Sequence, residues 1–264
     1  MGQYRPRGLL ALFLFCALAA CGGSPEQPQI SRASGGAVGA PVFGDNNPHD
    51  WVGRAPWHYQ VHGVDVSRYQ GDIDWQRLLA NNISFAFIKA TEGGDVADSM
   101  FELNWALARE AGMPRGAYHY YYFCRSAEEQ AKWFIDHVPL DNLALPPVLD
   151  AEWTQRSRTC PFRPAPEVVR SEMSKYLLAV GRRYGKRPII YSTVDFYADN
   201  ELWRVMGYSF WLRSVAGHPS VTYPSQDWVL WQYTGTGLVP GIEGQTDLNV
   251  FAGSRDDFRR WVSG

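Results

Sequence analysis

Strand-length apolar segments alternate with segments of helical character over most of this chain, and the alternation restricts its fold more than any other feature. The first candidate strand is 61–67 (VHGVDVS) and the last is 246–251 (TDLNVF). Between them lie six further candidates, at 84–91, 114–123, 146–153, 187–193, 208–214 and 227–234. This pattern predicts an α/β fold, with a parallel sheet covered by helices, and eight strands favour closure into a barrel.

Helix signals separate the early strands and become sparse between the later ones. Gly112 is suited to end a helix at about 97–111, Ser126 can cap a helix that runs to His137, and a long periodic segment runs from Pro166 to Gly185. A doubly wound open sheet is the alternative to a barrel. The chain has no glycine-rich phosphate loop after its first strand, so the sequence does not favour the nucleotide-binding version of that fold. We expect no cofactor.

The N-terminal 21 residues have the layout of an export signal. Two arginines precede an apolar stretch, and small residues precede Cys21. The ending LAAC resembles the lipobox of bacterial lipoproteins, which predicts a lipid anchor on Cys21; the alternative is an ordinary cleaved signal peptide. Residues 22–57 are rich in Gly, Pro, Ser and Asn, which predicts a flexible tether. We expect one domain at 58–264.

Net charge indicates which classes of partner to expect, and the cysteines are interpreted according to the redox state of the compartment. The formal net charge is −2, from 25 basic and 27 acidic residues, and gives no reason to expect a nucleic acid partner. We expect a monomer. Outside the predicted signal the cysteines are Cys124 and Cys160, and in an oxidising exported compartment they are expected to form a disulfide. Two free thiols are the alternative, and neither cysteine has a second ligand at metal-binding spacing.

Two acids directly follow the apolar run at 146–149. Asp150 and Glu152 are two residues apart, so in a strand their side chains point to the same face. In a β/α barrel the chemistry lies at the carboxyl ends of the strands, where both acids fall. Two neighbouring carboxyl groups resist ionising together, which raises the pKa of at least one. The pair is therefore a candidate for general acid catalysis.

Asp65 at the end of the first strand and Asp247 in the last strand are candidates for the same site. Strands one and eight are neighbours in a closed barrel, so the four acids can converge on one mouth. Two alternatives are that these acids cap loops and helices, or that they bind a divalent cation such as Mg²⁺ or Ca²⁺. We expect no metal.

Sequence blocks along the chain resemble those of family 25 glycoside hydrolases, the lysozymes that act as 1,4-β-N-acetylmuramidases. They are GVDVSRYQGDIDW (63–75), FIKATEG (87–93), GAYHYYYF (116–123), LDAEW (149–153), PIIYS (188–192) and WQYTGTGLVPGIEGQTDLNVF (231–251). The resemblance implies a single irregular β/α barrel with eight strands and fewer than eight helices. It also implies hydrolysis, with retention, of the β-1,4 bond between N-acetylmuramic acid and N-acetylglucosamine in peptidoglycan.

Site residues follow from the same resemblance. It implies that Glu152 protonates the glycosidic oxygen and that Asp150, Asp65 and Asp247 are the further active-site acids; whether a carboxylate or the substrate's own acetamido group attacks is left open. The aromatic residues that match positions near the sugar groove are Tyr118, Tyr120, Tyr191 and Trp231, each of which has barrel filling as its alternative role.

Two positions depart from the family pattern, and one histidine is set aside. Many members have Trp-Ile-Ala-x-Tyr in the sixth strand, whereas this chain has Arg213 and Val215 in place of a small residue and an aromatic. Arg213 is expected to pair with an acid or to meet a substrate carboxylate, and the alternative is that it partly blocks the groove. His119 alternates to the opposite face from Tyr118 and Tyr120 and is interpreted as structural.

These features together predict an exported, membrane-anchored lysozyme of a bacterial cell envelope, on the periplasmic face of a membrane if the host has two. The alternatives are a non-catalytic peptidoglycan-binding lipoprotein on the same fold, and another glycosidase such as a chitinase or an N-acetylhexosaminidase.

Overall fold

Strands form the centre of the fold. The structure, a computed structural model, describes residues 1–2, 42–154, 157 and 159–263. Within this part of the chain the strands are β1 (Gly44–Asp45), β2 (His62–Val66), β3 (Ile83–Glu92), β4 (Val96–Ala97), β5 (Arg115–Tyr120), β6 (Val148–Ala151), β7 (Ile189–Ser192), β8 (Ser209–Arg213), β9 (Leu230–Leu238) and β10 (Thr246–Phe251). All of these except the two-residue strands β1 and β4 form a closed barrel, and the eight predicted strands are confirmed.

One barrel strand runs against the others. Each neighbouring pair from β2 through β3, β5, β6, β7 and β8 to β9 is parallel, whereas β10 is antiparallel to both β9 and β2. The prediction of a parallel sheet is therefore wrong at the last strand. The segment between Leu238 and Thr246 is too short for a parallel crossover, which needs about a dozen residues or more, so the chain returns as a hairpin.

Seven helices surround the barrel in the part of the chain that the structure describes. They are α1 (Trp75–Ala80), α2 (Phe101–Ala111), α3 (Ala127–His137), α4 (Pro166–Tyr184), α5 (Val194–Asp199), α6 (Pro219–Thr222) and α7 (Arg255–Ser263). The irregular barrel with fewer than eight helices is thus confirmed. As predicted, the Ser126 side chain accepts a hydrogen bond from the Glu129 amide at the start of α3, and Gly112 and Gly185 end α2 and α4 in the left-handed conformation. None of these helices has both the length and the apolar character needed to span a membrane.

Side chains fill the half of the barrel interior where most strands begin. Phe85 and Phe87 point inward from β3, and Phe258 of α7 packs against Phe85, with 5.6 Å between ring centroids. Gly63 and Gly116 make room for these rings, because a Cβ at either position would lie 2.4 Å from a ring carbon. In the part of the chain that the structure describes, the barrel interior opens at the other end, where most strands finish.

The folded part begins earlier than the sequence predicted. Residues 42–57 were expected to belong to the tether, but β1 pairs with β9 and the Val52 amide donates to the Ala216 carbonyl at 2.9 Å. Trp51 packs edge-on against Trp231 and Tyr233, at 5.6 and 6.2 Å between centroids. The prediction weighed the glycine and proline content of this segment and underestimated the apolar surface that its aromatic residues can bury. The predicted signal peptide, Cys21 and the remaining tether up to residue 41 lie outside the described residues, except for Met1 and Gly2.

The predicted disulfide is confirmed. Cys124 and Cys160 are bonded, with their Cα atoms 5.6 Å apart. The bond joins the segment that follows β5 to the segment between β6 and α4. It therefore links two connections that leave the same end of the barrel.

Candidate active site

A cleft of about 330 Å³ opens at the end of the barrel where β2, β3 and β5 to β8 finish. Inward-pointing side chains of the barrel strands form its floor, because alternate residues of a strand face the same side. Its lining consists of Asp65, Val66, Ser67, Tyr69, Gln70, Lys89, Tyr118, Tyr120, Asp150, Glu152, Tyr191, Trp211, Arg213, Gln232 and Asp247.

All four predicted acids line this cleft. Asp65 lies near the end of β2, Asp150 lies in β6, and Glu152 is the first residue after β6. Asp247 is the second residue of β10 and lies directly opposite Asp65 in the strand pairing. Because β10 runs antiparallel, its beginning lies at the end of the barrel where its neighbour β2 finishes. The reversed strand is thus what brings Asp247 to the other acids.

Two side-chain amides hold Asp65 in place. Asp65 Oδ2 accepts hydrogen bonds from Gln232 Nε2 at 3.1 Å and from Asn249 Nδ2 at 2.7 Å. The oxygen of each amide is occupied in turn: the Tyr191 hydroxyl donates to Gln232 at 2.9 Å, and Trp211 Nε1 donates to Asn249 at 2.8 Å. These donors define the orientation of both amides, so that each presents its NH₂ group to Asp65.

Asp65 and Asp247 share a hydrogen bond, which requires a proton between the two carboxyl groups. Burial raises the pKa of both, and repulsion from Asp65 raises that of Asp247 further. The amides of Gln232 and Asn249 oppose the rise at Asp65, since they stabilise its ionised form. Asp65 is therefore the member that ionises first, and Asp247 retains the proton.

Asp150 and Glu152 form the second acidic pair. Burial raises the pKa of Asp150 well above its ordinary value, and the charge of Glu152 adds to this. Burial also raises the pKa of Glu152, while a hydrogen bond from Tyr120 and the charge of Arg213 act in the opposite direction. Oδ1 of Asp150 is buried and has no hydrogen-bond partner among the residues that the structure describes. Both carboxyl groups therefore resist ionisation more than ordinary carboxyl groups do.

Three of the four predicted aromatic residues line the cleft, and the fourth does not. Tyr118, Tyr120 and Tyr191 face it, whereas Trp231 is fully buried on the outer side of the barrel wall. Trp231 Nε1 donates to the Ser214 carbonyl at 2.7 Å. The prediction that Trp231 binds substrate is wrong, because its neighbour Gln232 points inward and the alternation of the strand then turns Trp231 outward.

His119 occupies the structural position that the sequence predicted. It is completely buried, with its ring nitrogens 2.7 Å from the Thr91 hydroxyl and 3.2 Å from the Gln130 side-chain oxygen. Burial lowers its pKa to about 3, so the ring is neutral. It plays no part in the lining of the cleft.

Two cations face the cleft, and only Arg213 was among the predicted residues. Lys89 Nζ lies 2.6 Å from Glu92 Oε2 and 4.7 Å from the centre of the Tyr120 ring. Arg213 is the last residue of β8, and its charge lowers the pKa of Asp65, Glu152 and Asp247. Both cations therefore partly offset the acidic charge of the site.

Sequence reasoning missed several residues of the site: Trp211, Gln232, Asn249, Lys89, Tyr69 and Gln70. Apolar character alone did not reveal which face of β9 points inward, since Leu230 and Trp231 are both apolar and adjacent. A usable signal was Gln232, a polar residue inside an otherwise apolar strand segment. Tyr69 follows the first strand in a 3-10 turn (Arg68–Gln70), and its ring is 76% exposed at the rim of the cleft.

Comparisons with known proteins agree on one family. The sequence profile of the glycosyl hydrolases family 25 matches residues 64–242. The chain is 39% identical over 219 residues to the uncharacterized protein YegX of Escherichia coli K12, covering 80% of this chain and 76% of that protein. It is 34% identical to Lysozyme M1 of Streptomyces globisporus, over 74% of this chain and 68% of that protein. The structure of a family 25 glycosyl hydrolase from Bacillus anthracis superposes with a TM-score of 0.73 at 37% identity, covering 81% of this chain and 98% of that chain.

Proposed function

Because the chain belongs to family 25 of the glycosyl hydrolases, whose lysozymes hydrolyse peptidoglycan, we propose that it cuts the β-1,4 bond between N-acetylmuramic acid and N-acetylglucosamine with retention of configuration. The chain is thus a glycoside hydrolase of the lysozyme type. The observation that carries the proposal is the convergence of Asp65, Asp150, Glu152 and Asp247 on one cleft.

Glu152 is the proposed general acid. Its pKa is raised by burial, and Tyr120 donates a hydrogen bond that orients the carboxyl group. A carboxyl group with a raised pKa keeps its proton to a higher pH than an ordinary glutamate does, and can deliver it to the glycosidic oxygen as the bond to the anomeric carbon breaks. The exposed ring of Tyr69 at the rim offers a surface on which a sugar can stack.

The attacking group in this proposal is the acetamido oxygen of the substrate. The Asp65 side chain is engaged by Gln232, Asn249 and Asp247, whereas Asp150 lines the cleft beside Glu152. The Asp150 carboxyl group, which lines the cleft, can accept the acetamido N–H and hold the acetamido carbonyl oxygen against the anomeric carbon. The carbonyl oxygen bonds to that carbon as the leaving sugar takes the proton of Glu152. This bond closes a ring between the acetamido group and the sugar. Water then attacks the anomeric carbon and loses a proton to Glu152 as the bond to the acetamido oxygen breaks. Each of the two attacks inverts the configuration at the anomeric carbon, so the overall result is retention.

Reducing-end analysis of digested peptidoglycan tests the function. Purified protein is expected to release muramic acid ends; glucosamine ends would indicate another N-acetylhexosaminidase, and no new ends would indicate a binding protein. Glu152→Gln is expected to lower cleavage by about 10²–10⁴-fold or more, since it removes the general acid. Glu102→Gln, the same change on the exposed face of α2, is the matched control. Full cleavage by folded Glu152→Gln protein would remove Glu152 from its role.

We also propose that a lipid on Cys21 anchors the protein to a membrane of a bacterial envelope, with the catalytic domain on its outer or periplasmic side. The support is the signal-like segment that ends in LAAC. Incorporation of labelled fatty acid and membrane fractionation test this. Cys21→Ala is expected to abolish both, whereas Cys16→Ala leaves a cysteine at the predicted lipidation position and serves as the control. Membrane association that survives Cys21→Ala would contradict the anchor.

A further inference from the structure

One cation of the cleft has no ion-pair partner among the residues that the structure describes. Lys89 is paired with Glu92 and covered by the Tyr120 ring. Arg213, in contrast, forms no ion pair with any carboxylate among the residues that the structure describes, although four acids share its cleft. A guanidinium group in a partly enclosed site needs an anion or several hydrogen-bond acceptors.

The position of Arg213 is well defined by its strand. It ends β8 two residues after Trp211, so its side chain points inward with that ring. The carbonyl of Arg213 accepts a hydrogen bond from the Tyr223 hydroxyl at 2.6 Å. A Cβ placed on Gly235 would lie 4.0 Å from Arg213 Nη2 and 3.0 Å from Asp247 Oδ1, which puts the guanidinium beside the acids.

The neighbouring acids are poor partners for this cation. Asp247 is buried and shares a hydrogen bond with Asp65, whose Oδ2 accepts hydrogen bonds from two amides. Glu152 must hold a proton when it acts as the acid. The guanidinium therefore faces the substrate space with its donors available, and any anion of the substrate that enters the cleft will be attracted to it.

We propose that Arg213 binds the lactyl carboxylate of the muramic acid residue whose bond is cut. This inference rests on the proposed function. Muramic acid differs from glucosamine by its lactyl ether, and the carboxyl group of that ether is an anion only when no peptide is attached. When a stem peptide is present, the same group is a neutral amide. Arg213 thus makes the cleft selective for glycan strands that have lost their peptides.

The selectivity places the enzyme in a reaction sequence. A free lactyl carboxylate arises when the amide bond between the lactyl group and the first amino acid of the stem is hydrolysed. The reaction class that supplies the preferred substrate is therefore amide hydrolysis, and glycan cleavage by this chain follows it.

Binding to chemically matched glycans tests the proposal without hydrolysis. Peptide-free strands are compared with the same strands after carbodiimide coupling to ammonia, which turns each lactyl carboxylate into an amide. Affinities are measured by calorimetry with the Glu152→Gln protein, in which cleavage is expected to be too slow to consume the glycan during the titration. We expect the acidic strands to bind about tenfold or more tightly than the amidated ones, as is typical of a charge-assisted bidentate pair.

Variants at Arg213 are then compared in the Glu152→Gln background. Arg213→Ala is expected to bring the ratio of the two affinities close to one. Arg213→Lys is expected to give an intermediate ratio, because lysine keeps the charge but loses the bidentate geometry. Arg213→Gln keeps most of the side-chain length without the charge, and is the second neutral variant should Arg213→Ala fail to fold. An Arg213 variant that weakens binding of both glycans equally, and so leaves the ratio unchanged, overturns the proposal.

Peptide-bearing strands separate the two sources of a substrate carboxylate. If these strands bind more tightly than peptide-free ones, the guanidinium recognises a carboxylate of the stem peptide, and the assignment to the lactyl group is overturned. Cleavage by the protein with Glu152 intact is followed in parallel. Should it cleave no glycan, the proposed function fails, while the binding ratio still decides the role of Arg213.

Discussion

At the scale of single residues, the cleft concentrates carboxyl groups where the folded state resists their ionisation. Burial raises the pKa of Asp65, Asp150, Glu152 and Asp247. A group whose pKa is higher in the folded state binds more protons there than in the unfolded chain at the same pH. Its contribution to stability is therefore present at low pH and is lost as the pH rises through the folded-state pKa. The buried acids therefore lower the stability of the domain at neutral pH. The same raised pKa values allow one of them to protonate substrate.

Asp247→Asn is predicted to stabilise the protein at pH 7–8. The amide cannot ionise and can donate a hydrogen bond to Asp65, so folding at pH 7–8 no longer requires this side chain to take up a proton. We expect a gain on the order of 1 kcal/mol in the free energy of unfolding, or about 2–4 °C in Tm, which shrinks towards pH 4 as Asp247 of the parent protein becomes protonated in both states. Urea unfolding between pH 4 and pH 8 measures it.

Asp227→Asn is the control for this experiment, since Asp227 is exposed outside the cleft. It is expected to change stability by less than about 0.5 kcal/mol at any of these pH values. A loss of stability in Asp247→Asn at pH 8 would show that the carboxyl pair stabilises the fold, contrary to this prediction.

At the scale of elements, the direction of each strand and the alternation of its side chains between two faces determine which side chains meet. β10 is the reversed strand, and its direction places Asp247 opposite Asp65. In β9 this alternation points Gln232 inward beside Arg213 and points Trp231 outward, where it packs against Trp51. A shift of one residue in the pairing of β9 would exchange these faces and remove the amide that holds Asp65.

The disulfide between Cys124 and Cys160 is predicted to stabilise the folded domain mainly through the unfolded state. The two cysteines are 36 residues apart in sequence, and closure of a loop of this size corresponds to about 3–4 kcal/mol in the chain-entropy estimate. We expect the double variant Cys124→Ala/Cys160→Ala to lose stability of this order in urea unfolding. The parent protein treated with a reducing agent is the matched comparison. If both retained full stability, the loop would already be restricted in the unfolded chain.

At the scale of the whole molecule, the segment before the barrel completes the outer core. β9, β10 and β2 follow one another in the sheet, and the short hairpin between β9 and β10 leaves no crossover helix over them. Residues 42–57 cover this side instead: Trp51 contacts Trp231 and Tyr233, and Phe43 packs against His62 with 5.4 Å between ring centroids. Burial lowers the pKa of His62 to about 4, which keeps that ring neutral under its cover.

Removal of this segment is predicted to destabilise the domain. A chain that begins at residue 58 lacks β1, Trp51 and the backbone hydrogen bond between Val52 and Ala216. Burial of one large side chain is worth about 1.5–3 kcal/mol, so we expect a loss of roughly 2–3 kcal/mol and a Tm lower by roughly 5–10 °C. A chain that begins at residue 42 is the control. Equal melting temperatures for the two chains would mean that the segment adds nothing to stability.

Local patterns were sufficient for several features of this protein. Apolar runs and helix-capping residues predicted all eight barrel strands, the caps at Ser126, Gly112 and Gly185, and the shared face of Asp150 and Glu152. These features depend on residues within a few positions of one another, and the steric and hydrogen-bonding preferences of the backbone act at that range. The expected closure of the barrel extended the prediction to Asp65 and Asp247, and the blocks that resemble family 25 implied the same two residues.

Other features were determined only by the tertiary structure. They are the reversed direction of β10, the outward position of Trp231, the two amides that hold Asp65, the cover formed by residues 42–57, and the position of Arg213 in the cleft without an ion-pair partner among the described residues. Each depends on contacts between segments far apart in sequence, such as Gln232 with Asp65 or Trp51 with Trp231. The free energy of these contacts comes from burial and charge in three dimensions, and a local sequence pattern carries no information about which distant partner will supply it.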